Sequence, residues 1–118
     1  MSPELIDHFR NPRNVGELEQ PAVMVEVSNP VCGDVLRLWA VVTDGRVTEV
    51  RYKVRGCTAS IAAGSALTEL LAGRDRAGLL SLKKDEVEAA VGGLSNESKH
   101  AAGLCAEGAK ALGLAIGK

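Results

Sequence analysis

The sequence predicts one domain of α+β structure, in which a short N-terminal helix and three strands precede the remaining helices. Between residues 22 and 55 apolar residues alternate with polar ones, which is the period of a strand with one buried face. Beyond residue 57 the apolar residues recur at helical spacing, over stretches rich in alanine and glycine. A chain of 118 residues fits a single domain, residues 1–118, better than two.

The composition excludes several classes of protein. With 14 basic and 15 acidic residues and one residue each of Trp, Tyr and Phe, the chain lacks the positive charge and stacking aromatic side chains of a nucleic-acid-binding protein. No apolar run is long enough to cross a bilayer, and no charged-then-apolar leader opens the chain. We therefore expect a soluble, cytoplasmic protein that binds neither nucleic acid nor a membrane.

The N-terminal residues predict a short helix. Ser2 is a capping residue before Pro3 at the first helical position, and Asn11-Pro12 ends the helix. His8 lies within it, and nothing nearby in the sequence has metal-ligand spacing. We therefore expect His8 to be a packed or surface histidine and not a ligand.

Three strands are predicted from the alternating residues. Their apolar positions are Val23, Val25 and Val27, then Leu36, Leu38, Ala40 and Val42, then Val50, Tyr52 and Val54. A two-residue loop Asp44-Gly45 would pair Leu38 with Arg51, so we prefer a three-residue loop with a left-handed bulge at Gly45, which aligns the apolar faces. In either register Cys32 and Cys57 leave the same end of this hairpin, where facing backbones are about 5 Å apart.

The second half of the chain predicts helices. The sequence indicates a helix from Thr58 to about Leu71 with a stop at Gly73, a short turn over residues 79–82, a helix over 85–91 and a last helix over 97–116.

The cysteines are candidates for chemistry. Three cysteines, at 32, 57 and 105, form an odd set in a domain large enough to fold without disulfides, so they are either thiolate ligands or buried apolar side chains. Cys57 lies between a strand end and a helix start, where free N–H groups and the helix dipole favour a thiolate. Asp34 follows Cys32 closely and is either a turn cap or part of a metal site, since a carboxylate beside two thiolates requires a cation.

Two thiolates are too few for a closed zinc site or a cysteine-ligated cluster. The remaining candidates are His100 and Cys105, which are five residues apart in the sequence. That spacing is about 140° around a helix, so both reach one point only if His100 precedes the helix proper. The alternative for Cys105 is an ordinary core residue on an apolar helix face.

Three segments resemble the signature segments of the IscU/NifU-type iron–sulfur cluster scaffolds. They are residues 7–16 (DHFRNPRNVG), residues 32–34 (CGD) and residues 56–62 (GCTASIA), and the resemblance covers essentially the whole chain. It implies an α+β fold in which a three-stranded antiparallel sheet packs against helices on one face. It also implies that Cys32 and Cys57 are cluster ligands and that Asp34 is the aspartate associated with cluster lability and metal binding.

The sequence departs from this family at the third ligand. Scaffolds of the Isc type carry adjacent His-Cys at the head of the last helix, whereas this chain has His100 followed by Ala101, with Cys105 one turn further along. Either a shifted helix lets Cys105 take over, or His100 supplies the ligand. The preceding loop, residues 92–99, lacks the Leu-Pro-Pro-Val-Lys segment, which argues against dependence on the family's dedicated chaperone. The insertion of the Suf-type relatives is also missing.

The function implied by the resemblance is that of a scaffold and carrier, which turns over no substrate in the ordinary sense. Its thiolates would accept sulfur from a cysteine desulfurase, combine it with iron into a transient 2Fe–2S cluster, and pass the cluster to recipient apo-proteins. One alternative is a zinc-bound persulfide acceptor, with zinc in the same site and sulfurtransferase activity. Another is an interaction domain with incidental thiols.

Overall fold

A computed structural model of the chain describes residues 2–31 and 33–116. The elements in chain order are α1 (Pro3–Arg10), β1 (Val23–Ser28), β2 (Val35–Thr43), β3 (Arg46–Arg55), α2 (Thr58–Leu71), α3 (Arg76–Ser81), α4 (Lys84–Ala90) and α5 (His100–Ile116). The strands form one antiparallel sheet in the order β1-β2-β3. Helix α5 packs on β1 and β2, and α2 packs on β3. The predicted α+β fold, with a three-stranded antiparallel sheet packed against helices, is confirmed.

The core lies between the sheet and helices α2 and α5. The predicted inner positions of the two longer strands supply one side of it, and small or apolar helix residues supply the other. Its fully buried members include Leu36, Leu38 and Ala40 from β2, Ala63, Leu67 and Leu71 from α2, and Ala102, Ala109 and Leu112 from α5. The alternating pattern therefore identified the buried face of the sheet correctly.

The hairpin turn differs from the prediction. Thr43 pairs with Arg46, so the loop is the two residues Asp44-Gly45, whose φ angles of 53° and 77° suit a tight hairpin turn. The predicted three-residue loop is wrong. The change of register lies instead between Val41 and Val42, where Thr48 is the extra residue of a β-bulge.

That bulge aligns the apolar faces as the sequence requires. Beyond it Ala40 pairs with Val50, and Leu38 pairs with Tyr52, so Arg51 falls on the opposite face. The Thr48 hydroxyl donates to the carbonyl of Val41 at 3.2 Å, which satisfies a polar group at the irregular step.

Two helix boundaries also differ from the prediction. Helix α5 begins at His100 and not at residue 97, because a turn closed by the Ser98 N–H on the carbonyl of Ser95 precedes it. Helix α3 forms where only a short turn was expected, because the Asp75 carboxylate caps it by accepting the N–H of Gly78 at 2.8 Å. Within the part of the chain described above, no helix combines the length and apolar character needed to span a membrane.

The segment after α1 is fastened to α2 by a buried polar cluster. His8 is 7% exposed, and its Nδ1 lies 2.7 Å from Oγ of Ser65, which also accepts the backbone N–H of Arg13 at 2.9 Å. Asn14 donates its side-chain amide to Oγ1 of Thr68 at 3.0 Å. His8 is thus packed in the interior, as predicted.

Close approach of α2 to the sheet depends on Gly64. A Cβ at this position would lie 2.5 Å from Cε2 of Tyr52. The Tyr52 ring is held in place because its hydroxyl donates to the carbonyl of Ile61 at 2.8 Å. We expect Gly64→Ala to lower the free energy of unfolding by about 1–3 kcal/mol, as overpacked core substitutions do.

The matched control is Gly103→Ala on α5, because a Cβ there meets nothing within 4 Å. Alanine is the better helix former by up to about 1 kcal/mol, so this variant should be no less stable than the wild type. Urea denaturation of both variants gives the comparison, and equal losses of stability would show that the Tyr52 contact is not the cause.

Stability should also fall in mild acid because of His8. Burial lowers the pKa of His8 and the Arg13 guanidinium lowers it further, against the opposing effect of Glu69 and Asp7. The folded pKa therefore lies below the unfolded value of 6.5, so the unfolded chain binds the proton more tightly. The stabilising contribution is complete above pH 6.5 and is lost as the pH falls through the folded pKa.

The measurement is the free energy of unfolding between about pH 7.5 and 5 for the wild type and His8→Gln. The variant should be less stable at neutral pH and should show a smaller decline over this range. An identical pH dependence in the two proteins would exclude His8 as its source.

Candidate metal centre

Three potential ligands meet at one end of the sheet: Asp34, Cys57 and His100. One ligand atom from each, an oxygen, a sulfur and a nitrogen, lies within 4.8 Å of the others. Val35 pairs with Arg55, so the residue before β2 and the residues after β3 leave the sheet side by side. The first residue of α5 completes the group.

Cys57 is placed by the strand-to-helix junction. It is the N-cap of α2, with extended backbone angles φ −76° and ψ 168°, and its carbonyl accepts the N–H of Ile61 at 3.1 Å. Its side chain makes no capping hydrogen bond to the helix, and the residue is exposed. The sulfur therefore points to the group, 3.5 Å from Oδ2 of Asp34 and 3.7 Å from Nε2 of His100.

Asp34 is buried, and its carboxylate is the centre of the group. Oδ2 accepts the Ser60 hydroxyl at 2.5 Å and lies 3.6 Å from Nε2 of His100. Burial by itself would raise the pKa of Asp34, but hydrogen bonds from Ser60 and from the thiol and backbone N–H of Cys57 outweigh it. These bonds, with the nearby His100, hold the pKa of this carboxyl below its usual value, so it is ionised at neutral pH.

Among the described residues, the hydrogen bonds of the turn before β2 come from Asn29. The Asn29 side chain accepts the N–H of Val31 at 2.9 Å, and the Asn29 N–H donates to the backbone carbonyl of Asp34 at 2.9 Å. The hydrogen bonds described for the Asp34 carboxylate are to Ser60 and Cys57, which favours the metal-site interpretation over a turn cap. Its carboxylate is directed to the thiol and the imidazole.

The donor set suits a divalent cation. Carboxylate, thiolate and imidazole are the ligands of zinc and of iron, and three protein ligands leave a position open for cargo or water. Hydrogen bonds join Sγ of Cys57 to Oδ2 of Asp34 and to Nε2 of His100, and a cation held by these three atoms would replace these contacts. The residues present thus fit a metal or a nascent cluster.

Cys105 lies elsewhere. It is 1% exposed within the hydrophobic core, and burial raises the pKa of its thiol to about 12. Because α5 already begins at His100, the condition under which both residues could reach one point is not met. Cys32 falls outside the described residues, so its role as a ligand remains a prediction.

Two residues of this site were missed in the sequence. Ser60 supports the carboxylate, and Gly56 leaves the space that the carboxylate occupies. Ser60 is the third residue of α2, so its distance of three from Cys57 on a predicted helix was a usable signal. No local signal marks Gly56, because its neighbour Asp34 comes from a distant part of the chain.

Comparisons with known proteins show the family of the chain. The NifU-like N terminal domain family matches residues 1–117, so the chain belongs to that family. The iron–sulfur cluster assembly scaffold protein IscU 1 of Archaeoglobus fulgidus is 38% identical over 106 residues, which are 90% of this chain and 69% of that protein.

Solved structures share the fold. A proposed iron–sulfur cluster assembly scaffold for the SUF system of Fervidobacterium islandicum superposes with a TM-score of 0.71 over 94% of both chains, at 14% identity. The N-terminal part of a NifU-like protein of Brucella abortus superposes with a TM-score of 0.62 over 98% of this chain and 88% of that one, at 19% identity. At these identities the likeness concerns the fold alone.

The two described cysteines should differ sharply in reactivity. Cys57 is exposed, whereas Cys105 is buried with a raised pKa. In a Cys32→Ala background, iodoacetamide should modify Cys57 faster than Cys105 by about 100-fold or more, because the thiolate is the reactive form. Peptide mass spectrometry follows both sites, with a denatured sample as the control in which both react. Comparable rates in the folded protein would contradict the burial of Cys105.

Proposed function

We propose that this protein is a scaffold on which iron–sulfur clusters are assembled and from which they are transferred. The observation that carries the proposal is the convergence of Asp34, Cys57 and His100 at one open site, in a chain that belongs to the NifU-like N terminal domain family. A relative named as an IscU scaffold supports it. The cargo is a transient 2Fe–2S cluster, and the protein acts as a carrier.

The ligands we propose are Cys32, Asp34, Cys57 and His100. Cys32 is included because it stands two residues before Asp34 in the sequence, within the segment that resembles the signature of the family. His100 replaces the cysteine of the family pattern as the donor from α5. Cys105 was a candidate for that role, but its place in the core favours His100.

The mixed donor set suits a carrier. Four thiolates hold a cluster tightly, whereas a carboxylate and an imidazole are weaker partners for iron, so the cargo can leave. Exposure of Cys57 supports access for both a sulfur donor and a recipient protein.

Sulfur delivery would use the Cys57 thiolate. It attacks the outer sulfur of a persulfide on the donor, which we propose is a cysteine desulfurase. A new S–S bond forms on Cys57, the S–S bond of the donor breaks, and the donor leaves as a thiolate. Neither an oxidant nor a reductant is consumed in this exchange.

The test is anaerobic reconstitution with ferrous iron, a cysteine desulfurase, its substrate cysteine and a thiol reductant, followed by visible absorption. Wild-type protein should develop the absorption bands of a 2Fe–2S cluster. Cys57→Ala should lose most of this absorption because one proposed cluster ligand is removed. Cys105→Ala is the matched control, since that residue lies in the core outside the ligand group, and it should retain the cluster.

Two results would contradict the proposal. One is a cluster that survives in Cys57→Ala, and the other is a cluster lost from a folded Cys105→Ala. The second candidate function is that of a zinc-bound persulfide acceptor, because the same oxygen, sulfur and nitrogen donors suit zinc. Metal analysis distinguishes it from a cluster scaffold. Tight stoichiometric zinc, with stimulation of the desulfurase and no cluster, would indicate a zinc-bound persulfide acceptor.

A further inference from the structure

We propose that Gly56 and Ser60 are positioning residues that clamp the carboxylate of Asp34 in the ligand group. This inference rests on the proposed function, because it assumes that the group binds a metal. It concerns residues that would not contact the cargo. Both act through Asp34, one by leaving space and the other by a hydrogen bond.

Gly56 provides the space. A Cβ at this position would lie 2.5 Å from Cγ of Asp34 and 2.7 and 2.8 Å from its two carboxylate oxygens. These three atoms are the nearest neighbours of that Cβ, so any side chain at position 56 would compete with the carboxylate itself. The φ of Gly56 is not in the left-handed region, so the backbone conformation does not call for glycine. The requirement is the close approach of Asp34 alone.

Ser60 provides the hydrogen bond. It is 1% exposed, and its Oγ lies 2.5 Å from Oδ2 of Asp34 and 3.4 Å from Sγ of Cys57. Oδ2 is the same oxygen that faces both the thiol and the His100 imidazole. A serine in the first turn of a helix is fixed in position, so its hydroxyl sets the orientation of the carboxylate.

The two contacts leave the carboxylate one place to lie. Its Cγ packs on the Gly56 backbone, and its Oδ2 accepts the hydrogen bond from Ser60. The same Oδ2 faces Cys57 and His100. Residues that orient a metal ligand in this way commonly contribute about 10–100-fold to metal affinity. Substitutions at either position leave the Asp34 carboxyl group chemically unchanged. A change in metal binding therefore reports where that carboxylate lies.

The probe is anaerobic titration of the full chain with Co²⁺, followed by visible absorption. Ser60→Ala and Gly56→Ala should each weaken Co²⁺ binding by about 10–100-fold and alter the d–d bands, because the carboxylate is displaced. The sulfur-to-cobalt charge-transfer band should persist, because Cys57 remains. Ser65→Ala is the matched control: it also removes a buried serine hydroxyl from α2, but that hydroxyl bonds His8 and should not affect the titration.

A double-mutant cycle separates positioning from a general loss of structure. With Asp34→Ala as the background, neither Gly56→Ala nor Ser60→Ala should weaken Co²⁺ binding further, because the group they position is absent. Far-UV circular dichroism of each variant checks that it is folded.

The outcomes distinguish this inference from the proposed function. If the wild-type protein binds Co²⁺ and neither Gly56→Ala nor Ser60→Ala weakens that binding, the clamp alone is overturned. The clamp alone is also overturned if each change weakens binding as much in the Asp34→Ala background as in the wild type. A wild-type protein that binds no Co²⁺ overturns both the metal centre and the clamp. Loss of binding in Ser65→Ala equal to that in Ser60→Ala also overturns the clamp.

Discussion

The antiparallel pairing of β2 with β3 is the constraint on which the site depends. Because Val35 faces Arg55, the chain enters β2 and leaves β3 at the same place, and Asp34 and Cys57 are brought together although 23 residues separate them. The bulge at Thr48 keeps this pairing compatible with a buried apolar face. A slip of one residue would turn the core side chains of one strand to the opposite face of the sheet.

Two glycines, one on α2 and one just before it, allow close contacts in the core and at the site. Gly64 allows the helix to lie against the Tyr52 ring, and just before the helix Gly56 allows a carboxylate to lie against the backbone. A well-packed interior tolerates no extra atoms at such contacts. The helix α2 therefore lies close to the sheet, and its N-cap residue Cys57 lies close to Asp34.

The sequence alone was sufficient for the features that depend on local pattern. Ser2 and Pro3 marked the start of α1, alternation marked the strands, and Cys57 was placed at the junction of β3 and α2. The sequence was insufficient for features that depend on contacts between residues far apart in the chain. A register change can be made in a loop or by a bulge, and the hydrophobic pattern is satisfied by both.

The choice between His100 and Cys105 as a candidate ligand shows the same limit. Whether His100 or Cys105 faces the site depends on where α5 begins and on how it packs, and the helical pattern leaves its first turn uncertain. The contact of Gly56 with Asp34 likewise exists only in three dimensions. The family resemblance identified the chemistry, but the replacement of its third cysteine by Ala101 had to be interpreted from coordinates.

The ligand group is assembled from three segments that an unfolded chain would scatter, since 43 residues separate Cys57 from His100. A cation that binds only the assembled group must therefore stabilise the folded state by mass action. This amounts to about 2.7 kcal/mol when the free cation is at 100 times its dissociation constant. The reverse also holds: an opening that detaches α5 from the sheet weakens the hold on the cargo without breaking any strand pairing. Occupancy and conformational stability are consequently two measures of one equilibrium in this protein.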